Sequence, residues 1–214
     1  MTEPASTVSP PVSAPPVGAP VQAAVPAAVP PVPGALEVKI LPSPWPLRDN
    51  LRRVAWMFVR ALLFRPSFHN WYAWRRFLLR LMGAEIGSGV RVRPTARIEM
   101  PWHLQIGADT VVGDEAILYS LGNIRIGRKV IISQYAHLCA GTHDLTDPAF
   151  PLLTPPVVVE DGAWVAADAF VGPGVTVGAW AVVGARSTVV KDIPPGQIWA
   201  GNPARFIKPR DLKR

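Results

Sequence analysis

The sequence predicts a mainly β fold: a parallel β-helix of six-residue units, preceded by amphipathic helices and a proline-rich tail. Three observations predict it. Val159, Val165, Val171, Val177, Val183 and Val189 recur at an unbroken interval of six. Each is followed four positions later by Ala163, Ala169, Val175, Ala181, Ser187 or Ile193, nearly all of them small. Upstream, the same interval runs through Ile86, Val92 and Ile98, then Ile106, Val112 and Leu118, then Ile126, Ile132 and Leu138. A period of six fits neither a helix at 3.6 nor a strand alternating at 2. It fits stacked coils in which each unit makes one flat face and three faces close one turn.

Residues 1–34 hold ten prolines among Ala, Val and Ser. Proline at that density removes backbone donors and fixes φ. Residues 1–37 therefore read as a disordered or polyproline-like tail, or as a docking segment for a partner. Residues 38–83 read as a basic, amphipathic helical cap. Leu51, Val54, Ala55, Phe58, Ala61 and Leu62 keep helical spacing, Pro66 ends that segment, Trp71, Trp74, Leu78 and Leu81 resume it, and Gly83 stops it. Between residues 38 and 80 nine basic residues face one acid, Asp49. An uncovered first coil would be an exposed sheet edge, which calls for a cover. The basic, Trp-rich segment 48–82 also suits contact with an anionic membrane surface.

The β-helix itself occupies residues 84–194. The steps from Ile98 to Ile106 and from Leu118 to Ile126 are eight, a small bulge at one corner of each early coil. From Ile126 to Val159 the step is 33, fifteen more than a regular coil, which places an inserted loop at 139–156. Gly172, Gly178 and Gly184 follow comb residues directly, where a corner needs backbone freedom. Five coils at strand spacing come to roughly 24 Å. Residues 195–214 form a C-terminal tail packed on the last coil.

The net charge of +7 suits nucleic acid, an anionic surface or a phosphate-bearing ligand. No nucleic-acid reading motif accompanies it, so a nucleic-acid partner is not expected. Cys139 is the single cysteine, which rules out an intrachain disulfide and agrees with a reducing compartment. No run of 18 apolar residues occurs, and the N-terminus lacks a basic region followed by an apolar one. These features give a cytoplasmic expectation, peripheral at the inner membrane face if the helices touch lipid.

An irregular insertion on a regular scaffold is where function concentrates. The insertion carries Cys139, His143, Asp144 and Asp147. His143 is placed where the chain leaves the prism; a histidine there can act as general base, with Asp144 or Asp147 to orient the ring. Cys139 follows the inward Leu138 in a slot for small residues, which favours packing over covalent catalysis. Trp164 stands in an outward slot, where a tryptophan fills an interface or a ligand site.

Gly141-Thr142-His143-Asp144, the coil with Trp164, Val190-Lys191-Asp192-Ile193-Pro194-Pro195 and Gly201-Asn202-Pro203-Ala204-Arg205 resemble the hexapeptide-repeat O-acetyltransferases. The likeness is greatest to the colanic acid biosynthesis branch, over about residues 45–210. It includes Pro101-Trp102, Leu121-Gly122, Ile132-Ser133-Gln134 and Asp147 to Pro151. The resemblance implies a left-handed β-helix, an exception to the usual right-handed crossover. It implies a homotrimer with acetyl-CoA in grooves between prisms, and His143 as the catalytic histidine. It further implies that Trp164, Ala166 and Ala167 line the acetyl-CoA groove, with Lys191 and Arg205 meeting its phosphates. Ser120, Asn123 and Gln134 are the acceptor candidates, the acceptor being a sugar or a lipid-linked glycan of exopolysaccharide or other surface-glycan synthesis.

Two rival readings go with these residues. Gamma-class carbonic anhydrases use the same fold and bind zinc through three histidines, and here His103, His137 and His143 invite the comparison. His137 and His143 are six apart, so they hold equivalent slots on neighbouring faces and would converge poorly on one metal; no metal is expected. A non-catalytic scaffold in a glycan-synthesis complex is the other rival, and an acyl donor carried on an acidic protein is a variant of the main reading.

Overall fold

A computed structural model of the chain describes residues 44–212. The proline-rich tail at 1–37 lies outside the described residues. Within them, helix α1 (Leu47–Val59) runs into one π-helical turn (Arg60–Phe64), and α2 (Tyr72–Leu81) follows. Three parallel sheets then form the faces of a prism. The first face stacks Glu85–Ile86, Leu104–Ile106, Ile124–Ile126, Val157–Val159 and Thr176–Val177. The second stacks Arg91–Val92, Val111–Val112, Ile131–Ile132, Trp164–Val165 and Val182–Val183. The third stacks Arg97–Ile98, Ile117–Tyr119, His137–Cys139, Phe170–Val171 and Thr188–Val189.

Registers equate the comb residues of successive coils: Ile86 with Ile106, Val92 with Val112, Ile98 with Leu118. All the comb residues are buried. Strands of two or three residues cannot hold a sheet by themselves. Their stability comes from this column of aliphatic side chains, each worth roughly 1.5–3 kcal/mol on burial, and from main-chain bonds between coils such as Gly107 N to Ile126 O at 2.7 Å.

The corners work differently from the sequence expectation. Left-handed φ occurs largely at non-glycine residues, among them Asp109, Lys129, Tyr135, Asp168 and Arg186. The glycines directly after comb residues do not carry that angle; most of them are required by the stacking distance. A Cβ on Gly178 would lie 2.6 Å from the nitrogen of Pro195, and one on Gly107 2.6 Å from the carbonyl carbon of Gly127.

The first coil has no coil before it, so the carbonyls of its inward residues point to an open edge. The two helices supply the donors. Arg80 Nε donates to Ile86 O at 2.9 Å, Arg76 to Val90 O at 2.9 Å, Arg75 Nε to Val92 O at 2.6 Å, and Trp56 Nε1 to Ile98 O at 2.8 Å. A guanidinium carries five donors and no acceptor, which suits an edge of carbonyls. Arg75 is fully buried, with no ion pair among the described residues, and spends its remaining donors on Ser67 Oγ, Phe68 O and His69 O. Much of the basic charge of this segment is therefore cap chemistry. At the far end Gln197–Gly201 adds to the second face beside Val182–Val183, and Ala204–Pro209 folds back antiparallel.

Candidate active site

The inserted loop leaves the prism at the corner between the third and first faces. Ala140 is its last buried residue; Thr142–His143 then pairs antiparallel with Leu152–Leu153, and the coil resumes at Val157. His143 thus stands on a short hairpin projecting from the corner, exposed to solvent. Its Nδ1 lies 2.5 Å from the carbonyl oxygen of Phe150. A carbonyl only accepts, so Nδ1 carries the proton in the neutral ring and Nε2 presents a lone pair. Phe150 is held at φ 47, an uncommon left-handed value for a bulky residue, and its own N–H bonds Asp147 O at 2.9 Å. The turn that aims the carbonyl is thereby fixed from both sides.

Asp144 and Asp147, the sequence candidates for orienting the ring, are occupied within the loop. Asp144 Oδ1 accepts from Thr146 N at 2.8 Å and Thr146 Oγ1 at 2.7 Å, and Asp147 Oδ1 accepts from Ala149 N at 2.8 Å. The Thr146 hydroxyl, with its backbone N–H, holds the Asp144 carboxyl below its ordinary range. Neither aspartate is bonded to the His143 ring among the described residues; both brace the turn of the loop.

Other candidates share the corner. Lys191 follows the comb two coils further on, exposed and without an ion pair among the described residues. Asn123 is exposed on the coil before the loop. Ser120, in contrast, is fully buried. Its hydroxyl donates to Met100 O at 3.0 Å and accepts from Met100 N at 2.9 Å, so it locks two coils together and is not available to an acceptor. Sequence reasoning passed over Tyr119, whose ring borders Gly141: a Cβ there would lie 3.3 Å from it. Burial, then the Glu99 carboxylate, pushes its phenol up. The available signal was an aromatic in the last outward slot before a corner.

Of the remaining candidates, Trp164 lies on the second face, which is opposite this corner in a triangular prism, while Gln134, Ala166 and Ala167 follow its strands where the chain turns toward the third face. Trp164 points outward and donates from Nε1 to Ser133 Oγ at 2.9 Å. Gln134 is exposed beside it. Ala166 is buried, with its N–H on Val183 O, and Ala167 O accepts from Arg186 N at 3.0 Å. Arg205 lies in the terminal hairpin, and among the described residues its side chain bonds the carbonyl of Ala204, at 3.1 Å. One chain therefore does not bring His143 and Trp164 to the same place.

The three histidines do not converge. His103 Nδ1 is 3.1 Å from Ser120 O. His137 lies edge-on to Tyr119 and Phe170, where burial pushes its imidazole below its ordinary value. No group of three His, Cys, Asp or Glu among the described residues is placed to share an ion. The Cys139 thiol bonds the carbonyl of Gly141 at 3.3 Å.

No family model matches the chain. It is 46% identical over 155 residues to WcaF of Escherichia coli K12, a protein named for acetyl transfer in colanic acid biosynthesis; the match covers 72% of this chain and 85% of that one. Galactoside O-acetyltransferase of the same organism is 27% identical over 137 residues, covering 63% and 68%. Among solved structures, the hexapeptide-repeat acetyltransferase VCA0836 of Vibrio cholerae, determined in complex with acetyl-CoA, is 26% identical with a TM-score of 0.71, covering 78% of this chain and 91% of that one. The stacked six-residue coils, the histidine hairpin and the extent of the WcaF match together establish that this chain belongs to the hexapeptide-repeat acetyltransferases.

Proposed function

We propose that the protein transfers the acetyl group of acetyl-CoA to a hydroxyl of a sugar, with His143 Nε2 as general base. The observation that carries this reading is the bond from His143 Nδ1–H to the Phe150 carbonyl, which leaves Nε2 with its lone pair in the neutral ring. A sugar hydroxyl is a poor nucleophile at neutral pH and needs a base within hydrogen-bond reach. Nε2 takes the hydroxyl proton as the oxygen attacks the thioester carbonyl. The C–S bond then breaks, and the imidazolium returns the proton to the leaving thiolate. Backbone N–H groups at a coil corner are the donors for the oxyanion, and much of the rate comes from holding both substrates together.

The placement of Trp164 opposite the His143 corner, with Ala166 and Ala167 at the turn after it, supports a homotrimer in which one copy's corner meets another's second face. The acetyl-CoA arm would run between them, with Lys191 and Arg205 toward its phosphates, and Asn123, Gln134 and Tyr119 on the acceptor side. The likeness to WcaF favours an acceptor in exopolysaccharide or another surface glycan, made on the cytoplasmic side.

The test is release of free thiol from acetyl-CoA by purified protein with a panel of sugars and lipid-linked glycans, wild type beside His143→Ala. Acceptor-dependent release that falls by on the order of a hundredfold or more in the variant is the expected result. Release that survives the substitution would move the base elsewhere.

A further inference from the structure

On a helix at 3.6 residues per turn, Leu47, Leu51, Val54 and Phe58 fall on one line, which Leu62 in the π-turn continues. This is the apolar face that periodicity marks for burial, yet it is the face turned to solvent. Leu47 is 74% exposed, Leu51 62% and Leu62 67%, whereas Trp56, on the opposite side of the helix, is 3% exposed. Phe68 and Trp71 extend the apolar surface past the end of the helix, both more than half exposed. The line from Leu47 to Leu62 is roughly 22 Å long.

The free charges beside this stripe are basic. The side chains of Arg48 and Arg65 have no ion pair or hydrogen bond among the described residues, whereas the nearby acids are taken up: Asp49 is 3.9 Å from Arg52, and Glu99 accepts from Arg53 at 2.9 Å. Docking a second copy face to face would set these arginines against one another. An apolar stripe flanked by Arg48 and followed by Arg65 instead matches an anionic bilayer, with the side chains among the acyl boundary and the guanidinium groups among the headgroups. No helix of the described residues is long and apolar enough to cross a membrane, so α1 would lie on it.

The stripe also connects to the candidate site. At the foot of α1 a cavity of ≈ 420 Å³ is lined by Val54, Met57, Arg60 and Glu99. A small adjoining cleft shares Arg60 and Glu99 and reaches Tyr119, which borders Gly141, two residues before His143. We infer that the exposed face of α1 docks on an anionic lipid surface, at the prism corner from which His143 works, so that an acceptor held in that surface is met along the Glu99–Tyr119 cleft.

The full chain is mixed with vesicles of phosphatidylcholine alone or with about one-third phosphatidylglycerol, and the sedimented fraction is measured. The wild type is expected to sediment with the anionic vesicles only, and to be released as salt is raised. Phe58→Glu should cut the sedimented fraction about tenfold, and replacing Arg48 and Arg65 together by Ala should also cut it. Both variants should keep the wild-type melting temperature and solution mass, because none of the three side chains packs in the core. Wild type that stays in solution with anionic vesicles, or Phe58→Glu that sediments like wild type, overturns the inference. A changed solution mass in Phe58→Glu also overturns it and assigns the stripe to a second copy. Vesicle binding is read without any acetyl transfer, so this result stands apart from the His143 test.

Discussion

At His143 the partner that sets the tautomer is a main-chain carbonyl, and three expectations follow at the scale of single residues. Nitrogen-15 NMR of the imidazole at neutral pH should show the proton on Nδ1; a proton on Nε2 would remove the proposed base. Asp144→Asn should lower kcat less than about tenfold, well short of the His143→Ala loss, because its Oδ1 serves Thr146 and not the ring. The depressed folded pKa of Asp144 gives a contribution to loop order that is present above the ordinary carboxylate pKa and lost only as pH falls through the lower folded value. The Asp144 contribution should therefore not change with pH near neutrality. His143 was legible in the sequence because an insertion interrupts a strict period at that point. Phe150 was not legible, since a carbonyl acceptor has no side-chain signature and a bulky residue at φ 47 follows no composition rule.

Among the secondary elements, the coils were readable because inward and outward slots alternate strictly and one slot in six must be aliphatic. The helices were readable only in part. Periodicity shows that α1 has an apolar face; it does not show which way that face turns. Here Trp56 and the arginines of α2 take the inward side because the first coil offers carbonyls to be bonded. Arg75→Met should destabilise the protein by about 3 kcal/mol or more, since it strands the buried oxygen of Val92 together with the part-buried oxygens of Phe68 and His69. Thermal or urea unfolding reads this directly. Gly178→Ala should cost about 1–3 kcal/mol, because its Cβ would meet the backbone of Pro195 at 2.6 Å; an unchanged melting temperature would contradict the stacking argument for the corner glycines.

For the whole molecule, the triangular section decides how a site can be built. His143 stands at one corner and Trp164 on the opposite face, so a thioester in contact with both needs two copies. The sequence named both residues but gave no sign that they diverge within one chain, because that depends on which face each coil slot occupies. The most direct measurement mixes chains. His143→Ala and Trp164→Ala proteins, each assayed alone at low acetyl-CoA, should be strongly impaired. After unfolding and co-refolding at equal amounts, random assembly should pair an intact His143 with an intact Trp164 at about a quarter of the interfaces, restoring roughly that share of wild-type activity. Activity that stays at the level of the separate variants would contradict a site shared between copies and return both residues to a single chain.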